Sequence, residues 1–180
     1  GRAIALSMAI VAFTSPFLGG IADYSGARKK MLLFFTLLCI ASVASFSFLK
    51  KGMIIEGFAL IVLANIGMES GITFYNSFLP VISETTHQGR VSSWGFGIGY
   101  AGSILSLIFA LILVKLDMIS ATWPMVALFF MIFSVPAFVF LPGDSKSKAS
   151  ETPSINKNLI CSAFNGFRET IKHLKSMLLQ

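Results

Sequence analysis

The sequence predicts an all-α integral membrane protein with five transmembrane helices and a cytoplasmic amphipathic helix. Of its 180 residues, 55% are hydrophobic and only 12% are charged, whereas a soluble domain carries about 25% charged residues. The apolar residues fall in blocks of the length that crosses a bilayer core, about 20 residues in a helix. Three consecutive cations, Arg28, Lys29 and Lys30, follow the first block and place that connection in the cytoplasm by the positive-inside rule.

Short polar stretches separate the five predicted spans. The spans cover residues 3–22, 31–49, 57–82, 93–114 and 120–141. Ten of the 14 Lys and Arg residues then lie on the cytoplasmic side, and the opposite orientation would place this excess outside. The cations gather at helix ends and in the tail, so the net charge of +6 needs no nucleic-acid partner. Because the chain starts at Gly1 and lacks a charged leader, we interpret 3–22 as a span, not a signal peptide, and the chain as a fragment.

The third span carries the residues that most suggest a function. Asn65, Glu69, Thr73 and Asn76 are spaced four, four and three residues apart, which places them on one face of a helix. Glu69 lies near the middle of the span, where an acidic residue costs about 2.5–3.5 kcal/mol on insertion scales. These residues are therefore candidates for a substrate or proton path. The alternative is a structural Glu69 that bonds to a neighbouring helix.

The fourth span is rich in glycine, and the chain ends in a basic segment. Gly95, Gly99 and Gly102 recur at helical spacing and predict a face for close helix packing. Residues 142–156 are polar and form a predicted cytoplasmic linker. In 157–180, apolar residues at alternating spacings of four and three oppose basic ones, which predicts an amphipathic helix on the inner membrane surface.

Nothing in the sequence indicates catalysis, a metal site or a cofactor. Cys39 lies in a span and Cys161 in the tail, so the two cysteines form no disulfide or metal-binding pattern, and the two histidines are isolated. An intramembrane enzyme using Glu69 as acid and base would need a second catalytic group at the same depth, and none is present. We therefore predict that the chain is not an enzyme.

The connection between the first two spans resembles a signature of the major facilitator superfamily, Gly-x-x-x-Asp-x-x-Gly followed by basic residues. The matching residues are Gly19, Asp23, Gly26, Arg28 and Lys29, while Tyr24 and Ala27 depart from the usual pattern. The resemblance implies that the five spans are helices two to six of the N-terminal six-helix half. Helix one and the second half of the polypeptide would then lie outside this sequence. It also implies a cytoplasmic gate in which Asp23 pairs with a helix end or a cation of that half.

Two further stretches, residues 63–82 and 89–103, resemble the vacuole-effluxer branch of that superfamily, which includes vacuolar amino-acid exporters and bacterial permeases. This resemblance implies a secondary transporter that moves a small solute, with amino acids as the suggested class and a proton as a candidate coupling ion. Its partners would be the lipid bilayer and the second half, and its expected location is the bacterial inner membrane. The alternative is a membrane scaffold that does not transport and whose basic tail binds lipid or a partner.

Overall fold

The computed structural model describes residues 1–25, 27–84 and 86–143 of the chain, and within these ranges all regular structure is helical. The predicted linker and amphipathic helix at 142–156 and 157–180 therefore lie almost wholly outside the described residues. Five helices are long and apolar enough to cross a membrane, as the sequence predicts. The α-helices are α1 (Arg2–Ser25), α2 (Arg28–Ser45), α3 (Ile54–Asn76), α4 (Leu79–Ile82), α5 (Gln88–Lys115) and α6 (Ile119–Phe140), and a short 3₁₀ helix, Phe46–Phe48, follows α2 directly.

Most helix bounds differ from the predicted spans by a few residues, and two of these differences affect the interpretation. α2 begins at Arg28, so the three cations form its first turn and are not part of a loop. The third span is divided, because α3 ends at Asn76 and α4 begins at Leu79. Pro80 explains this break, since its ring would clash with the carbonyl of Asn76 in a continuous helix.

The contact between α2 and α3 is the most extensive in the described bundle. α1 packs on the other side of α3, while α6 packs on α2 and α5 packs on α6. The closest approach is at Gly67, where an added Cβ atom would lie 2.8 Å from the backbone nitrogen of Cys39 and 2.8 Å from the carbonyl oxygen of Phe35. Small residues allow such backbone contact between membrane helices. Gly67 thus sets the distance between α2 and α3.

Aromatic packing continues the contact between α2 and α3 toward one end of the bundle. The rings of Phe35 and Phe74 are stacked, with centroids 5.7 Å apart. They belong to a buried cluster with Leu32, Phe78 and Leu141. This cluster joins the start of α2, the end of α3 and the end of α6, so these three helix ends form one unit. We call this the basic end of the bundle, because it includes the first turn of α2.

Lys29 adds a polar contact at the basic end. Its Nζ atom donates a hydrogen bond of 2.8 Å to the carbonyl oxygen of Leu141, directly after the last residue of α6. The last carbonyls of a helix have no partner within the helix, and a cation there also opposes the negative end of the helix dipole. Lys29 therefore caps α6 from the first turn of α2.

At the opposite end of the bundle, the ring of Phe46 stacks on that of Trp123 with centroids 4.7 Å apart. This contact joins the end of α2 to the start of α6. The two helices are thus fixed to each other at both ends, by Lys29 and Leu141 at one and by Phe46 and Trp123 at the other.

We predict that Gly67→Ala destabilises the bundle, because the atoms that the new methyl group would meet belong to the α2 backbone and cannot rotate away. Overpacking of this kind typically costs about 1–3 kcal/mol. Gly71→Ala, one turn further along α3, is the matched control, because its Cβ atom would meet nothing within 4 Å. Thermal unfolding of the purified protein in detergent should show a lower Tm for Gly67→Ala only. Equal Tm values for the two variants would contradict the proposed backbone contact.

We also predict that Lys29→Met loosens the end of α6, because it removes a charged hydrogen-bond donor, a contribution of order 1 kcal/mol. Lys30→Met is the control, since Lys30 is exposed. Hydrogen exchange followed by mass spectrometry should be faster in the last turn of α6 for Lys29→Met and unchanged for Lys30→Met. Unchanged exchange in both variants would show that Lys29 does not hold this helix end.

Candidate functional site: a groove beside α3

A groove of about 580 Å³ runs between α3 and α4 on one side and α5 on the other. It extends from the basic end toward the middle of the bundle, since its lining includes Ile82 of α4 and reaches Ser103, fifteen residues into α5. Small-molecule sites typically have volumes of about 300–1,000 Å³. The groove is thus large enough to hold a small solute.

The lining of the groove is aromatic and aliphatic, with a few neutral polar groups. Four aromatic rings contribute, those of Tyr75, Phe96, Tyr100 and Phe130. The polar groups come from Asn76, Ser92 and Ser103 and from the two tyrosine hydroxyls. None of the described residues that line the groove is charged. Such a surface suits an uncharged or apolar part of a ligand, with hydroxyl and amide groups to orient it.

Glycines of α5 keep the groove open. Gly95 and Gly99 both line it. An added Cβ atom at Gly95 would lie 3.9 Å from the Tyr75 hydroxyl oxygen, and at Gly99 or Gly102 it would meet nothing within 4 Å. The sequence predicts that these glycines pack closely against another helix, but within the described part of the chain they face open space. No residue of α5 is buried there. Their role in helix packing stays a prediction.

The four candidate residues of the third span all lie on α3 but have different surroundings. Asn76 lines the groove. Asn65 instead contacts α1, where its Nδ2 atom donates a 2.6 Å hydrogen bond to the hydroxyl of the fully buried Ser7. Thr73 is exposed and donates to the backbone carbonyl of Glu69 over 3.0 Å. The structure therefore places Asn76 at the groove and uses Asn65 to join two helices.

Glu69 is partly buried. Among the described residues its carboxylate makes neither a hydrogen bond nor an ion pair. Glu69 precedes Ile72 by three residues and Asn76 by seven, and these spacings return to the same helix face. Ile72 and Asn76 both line the groove. Glu69 therefore lies on the same side of α3, next to the end of the groove that is nearer the middle of the bundle.

The residues of the predicted cytoplasmic gate flank the break between α1 and α2. Gly19 and the backbone of Asp23 belong to the last turns of α1, whereas Arg28 and Lys29 belong to the first turn of α2. Gly26 and the side chain of Asp23 lie outside the described part of the structure. Of this set, Lys29 has a defined partner in the Leu141 carbonyl. The gate role of the five residues stays a prediction.

Sequence reasoning missed four residues of this region. In the sequence, Phe96 and Tyr100 look like any other aromatic residue of a membrane span. They line the groove because α5 lies beside α3, and Phe130 lines it because α6 packs on α5. Gly67 carried a signal, because Gly67 and Ser70 are small residues three positions apart in the third span, and this spacing places them on one helix face that can pack closely.

Comparison with known proteins agrees with this membrane architecture. Residues 3–178 match the family described as vacuole effluxer Atg22 like. An uncharacterised MFS-type transporter of Bacillus subtilis, YxiO, is 34% identical over 116 residues, which cover 64% of this chain and 27% of that protein. An uncharacterised protein of Aquifex aeolicus is 30% identical over 164 residues, which cover 90% of this chain and 39% of that protein. No solved structure matches the chain significantly.

The chain thus spans less than half the length of either relative. The match to the family covers almost all of its 180 residues, and its five spanning helices are those expected of an integral, multi-pass membrane protein. This chain belongs to the vacuole effluxer Atg22-like family.

Proposed function

We propose that the chain is part of a secondary active transporter of the major facilitator type, which moves a small solute by alternating access along the groove beside α3. The observation that carries the proposal is an uncharged groove next to a carboxylate without a described partner, on one face of a membrane-spanning helix. Ionisable residues at such depth typically mark solute or ion pathways. Amino acids are the proposed solute class and a proton the proposed coupling ion, both from the resemblance to vacuolar exporters.

The proposal also includes the position of the chain in the whole protein. We place the five spans as helices two to six, with the remaining helices supplied by the rest of the polypeptide, because the relatives are more than twice as long as their matched regions. In major facilitator proteins the substrate site lies between two such halves, near the bilayer midplane. The positive-inside rule places the basic end and the C-terminal tail in the cytoplasm. The bacterial relatives support the inner membrane as the location.

Blocking the groove should stop transport without unfolding the protein. We predict that Gly99→Leu fills the groove, because an added side chain at this position would enter open space beside the aromatic rings. Gly97→Leu is the matched control, since Gly97 lies on the same helix, also has open space, and lines a separate hollow with Trp94 and Ile98. The full-length protein would be reconstituted into vesicles loaded with an amino-acid mixture, and efflux measured by mass spectrometry.

The expected result is efflux of at least one amino acid by the wild type and by Gly97→Leu, and at least tenfold slower efflux by Gly99→Leu at equal Tm. Equal efflux by both variants would exclude the groove as the path. Absence of efflux from the wild type, together with binding of the protein to another membrane component, would favour the membrane scaffold.

A second prediction concerns the gate. We expect Asp23→Asn to be made in normal amounts and to transport more slowly, because the carboxylate would hold the cytoplasmic side closed through a helix end or cation of the second half. Efflux rates of the full-length variant in the same vesicles measure this effect, with Ser25→Ala on the same turn of α1 as the control. A wild-type rate for Asp23→Asn would contradict the gate.

A further inference from the structure

The Lys and Arg residues of the described chain all lie at helix ends or in connections, whereas Glu69 lies inside α3. Each belongs to an end of a spanning helix or to a connection between two of them: Arg2, Arg28, Lys29, Lys30, Lys50, Lys51, Arg90 and Lys115. Glu69 lies fifteen residues after the start of α3 and seven before its end. No Lys or Arg of residues 1–25, 27–84 and 86–143 is therefore at its depth in the bundle.

A charged carboxylate at that depth needs a cationic partner or a hydrogen-bond donor, because its transfer from water costs several kcal/mol. Thr73, one turn away, does not supply a donor, since its hydroxyl is directed to the Glu69 backbone carbonyl at 3.0 Å. The Asn65 amide, one turn away on the other side, donates to Ser7. Neither of these neighbouring polar groups on α3 therefore donates to the Glu69 carboxylate.

The distance from Glu69 to the groove limits the shape of any ligand of the carboxylate. With a rise of about 1.5 Å per residue, Glu69 lies about 4.5 Å along the helix axis from Ile72 and about 10.5 Å from Asn76, which both line the groove. A group bound to the carboxylate would therefore lie only a few bonds from the part of the same molecule that occupies the groove. The aromatic rings there, including Tyr75 and Tyr100, favour an apolar or aromatic body.

We infer that Glu69 binds the protonated amino group of the solute and that the groove holds its uncharged body, so that the site selects organic ammonium compounds, whether simple amines or amino acids. This inference rests on the proposed function, because it uses the same groove and names the group by which the solute is recognised. A charged hydrogen bond from an ammonium group to a carboxylate is about twice as strong as a neutral one. Glu69 thus acts as the specificity-determining residue. Asn76 lies beside the part of the solute that is farthest from the ammonium group.

The test uses four probes that share a phenylethyl or phenylpropyl body and differ in charge. They are phenethylamine (a cation), 2-phenylethanol (neutral), phenylalanine (a zwitterion) and 3-phenylpropionate (an anion). Dissociation constants would be measured by calorimetry on the full-length wild type and on Glu69→Gln, Glu69→Asp and Gly99→Leu. Glu69→Gln keeps the shape of the side chain, removes the negative charge and replaces one acceptor oxygen by an amide donor. Glu69→Asp keeps the charge on a shorter side chain.

The wild type should bind phenethylamine and phenylalanine at least about tenfold more tightly than 2-phenylethanol, a difference of ~1.4 kcal/mol, and should bind 3-phenylpropionate most weakly. Glu69→Gln should weaken the two ammonium compounds to the level of the alcohol and leave the alcohol unchanged, while Glu69→Asp keeps part of the preference.

Equal affinity of the wild type for phenethylamine and 2-phenylethanol would overturn the inference. Equal weakening of both compounds by Glu69→Gln would also overturn it, because this result would indicate a structural carboxylate that pairs with the rest of the protein. If the alcohol binds and Gly99→Leu abolishes its binding, the groove remains the solute site although the ammonium role fails. If no probe binds while the wild-type protein exports amino acids, the solute is recognised elsewhere in the protein. The inference about Glu69 then fails, while the proposed transport function stands.

Discussion

The contact between the backbones of α2 and α3 at Gly67 is the constraint on which the rest of the bundle depends. A methyl group at this position would lie 2.8 Å from two backbone atoms of α2, so only glycine allows the observed separation. Phe35 and Phe74 can stack because the helices are this close, and their cluster includes Leu141 at the end of α6. Lys29 then caps that end. One small residue therefore fixes the position of three helix ends.

This packing also determines which face of α3 is available for function. Gly67, Ser70 and Phe74 are buried, and Gly67 and Phe74 contact α2. Helical spacing places Asn65, Glu69 and Asn76 on the opposite side of α3. Because the bilayer core offers no water, polar groups there must find partners within the protein or in a ligand. Asn65 is satisfied by Ser7, whereas no described residue satisfies Glu69. Polar residues on one side of α3 thus have different surroundings, because Asn65 lies opposite Ser7 of α1 and Asn76 lies beside α5.

Much of the architecture was predictable because membrane spans follow directly from composition. Five spanning helices are confirmed, as is the resemblance to the vacuole-effluxer family. The polar face of the third span was also recognisable from spacing alone. Local sequence did not reveal that Asn65 belongs to a helix contact, since this depends on the approach of Ser7 from a helix 58 residues away. It also did not reveal that α2 begins at Arg28, because charged residues lower the hydropathy of a segment without ending a helix.

By itself, the sequence determined the number of spans, their expected orientation and the presence of an acidic residue at mid-membrane, because each of these depends on properties of neighbouring residues along one segment. Only the tertiary structure decided which helices pack together, that Gly67 and not the glycines of α5 makes the closest described contact, and that Asn76 lines a groove with Tyr100 and Phe130. Those features depend on distances between segments remote in sequence. A periodic pattern states which residues share a face but not what lies opposite that face.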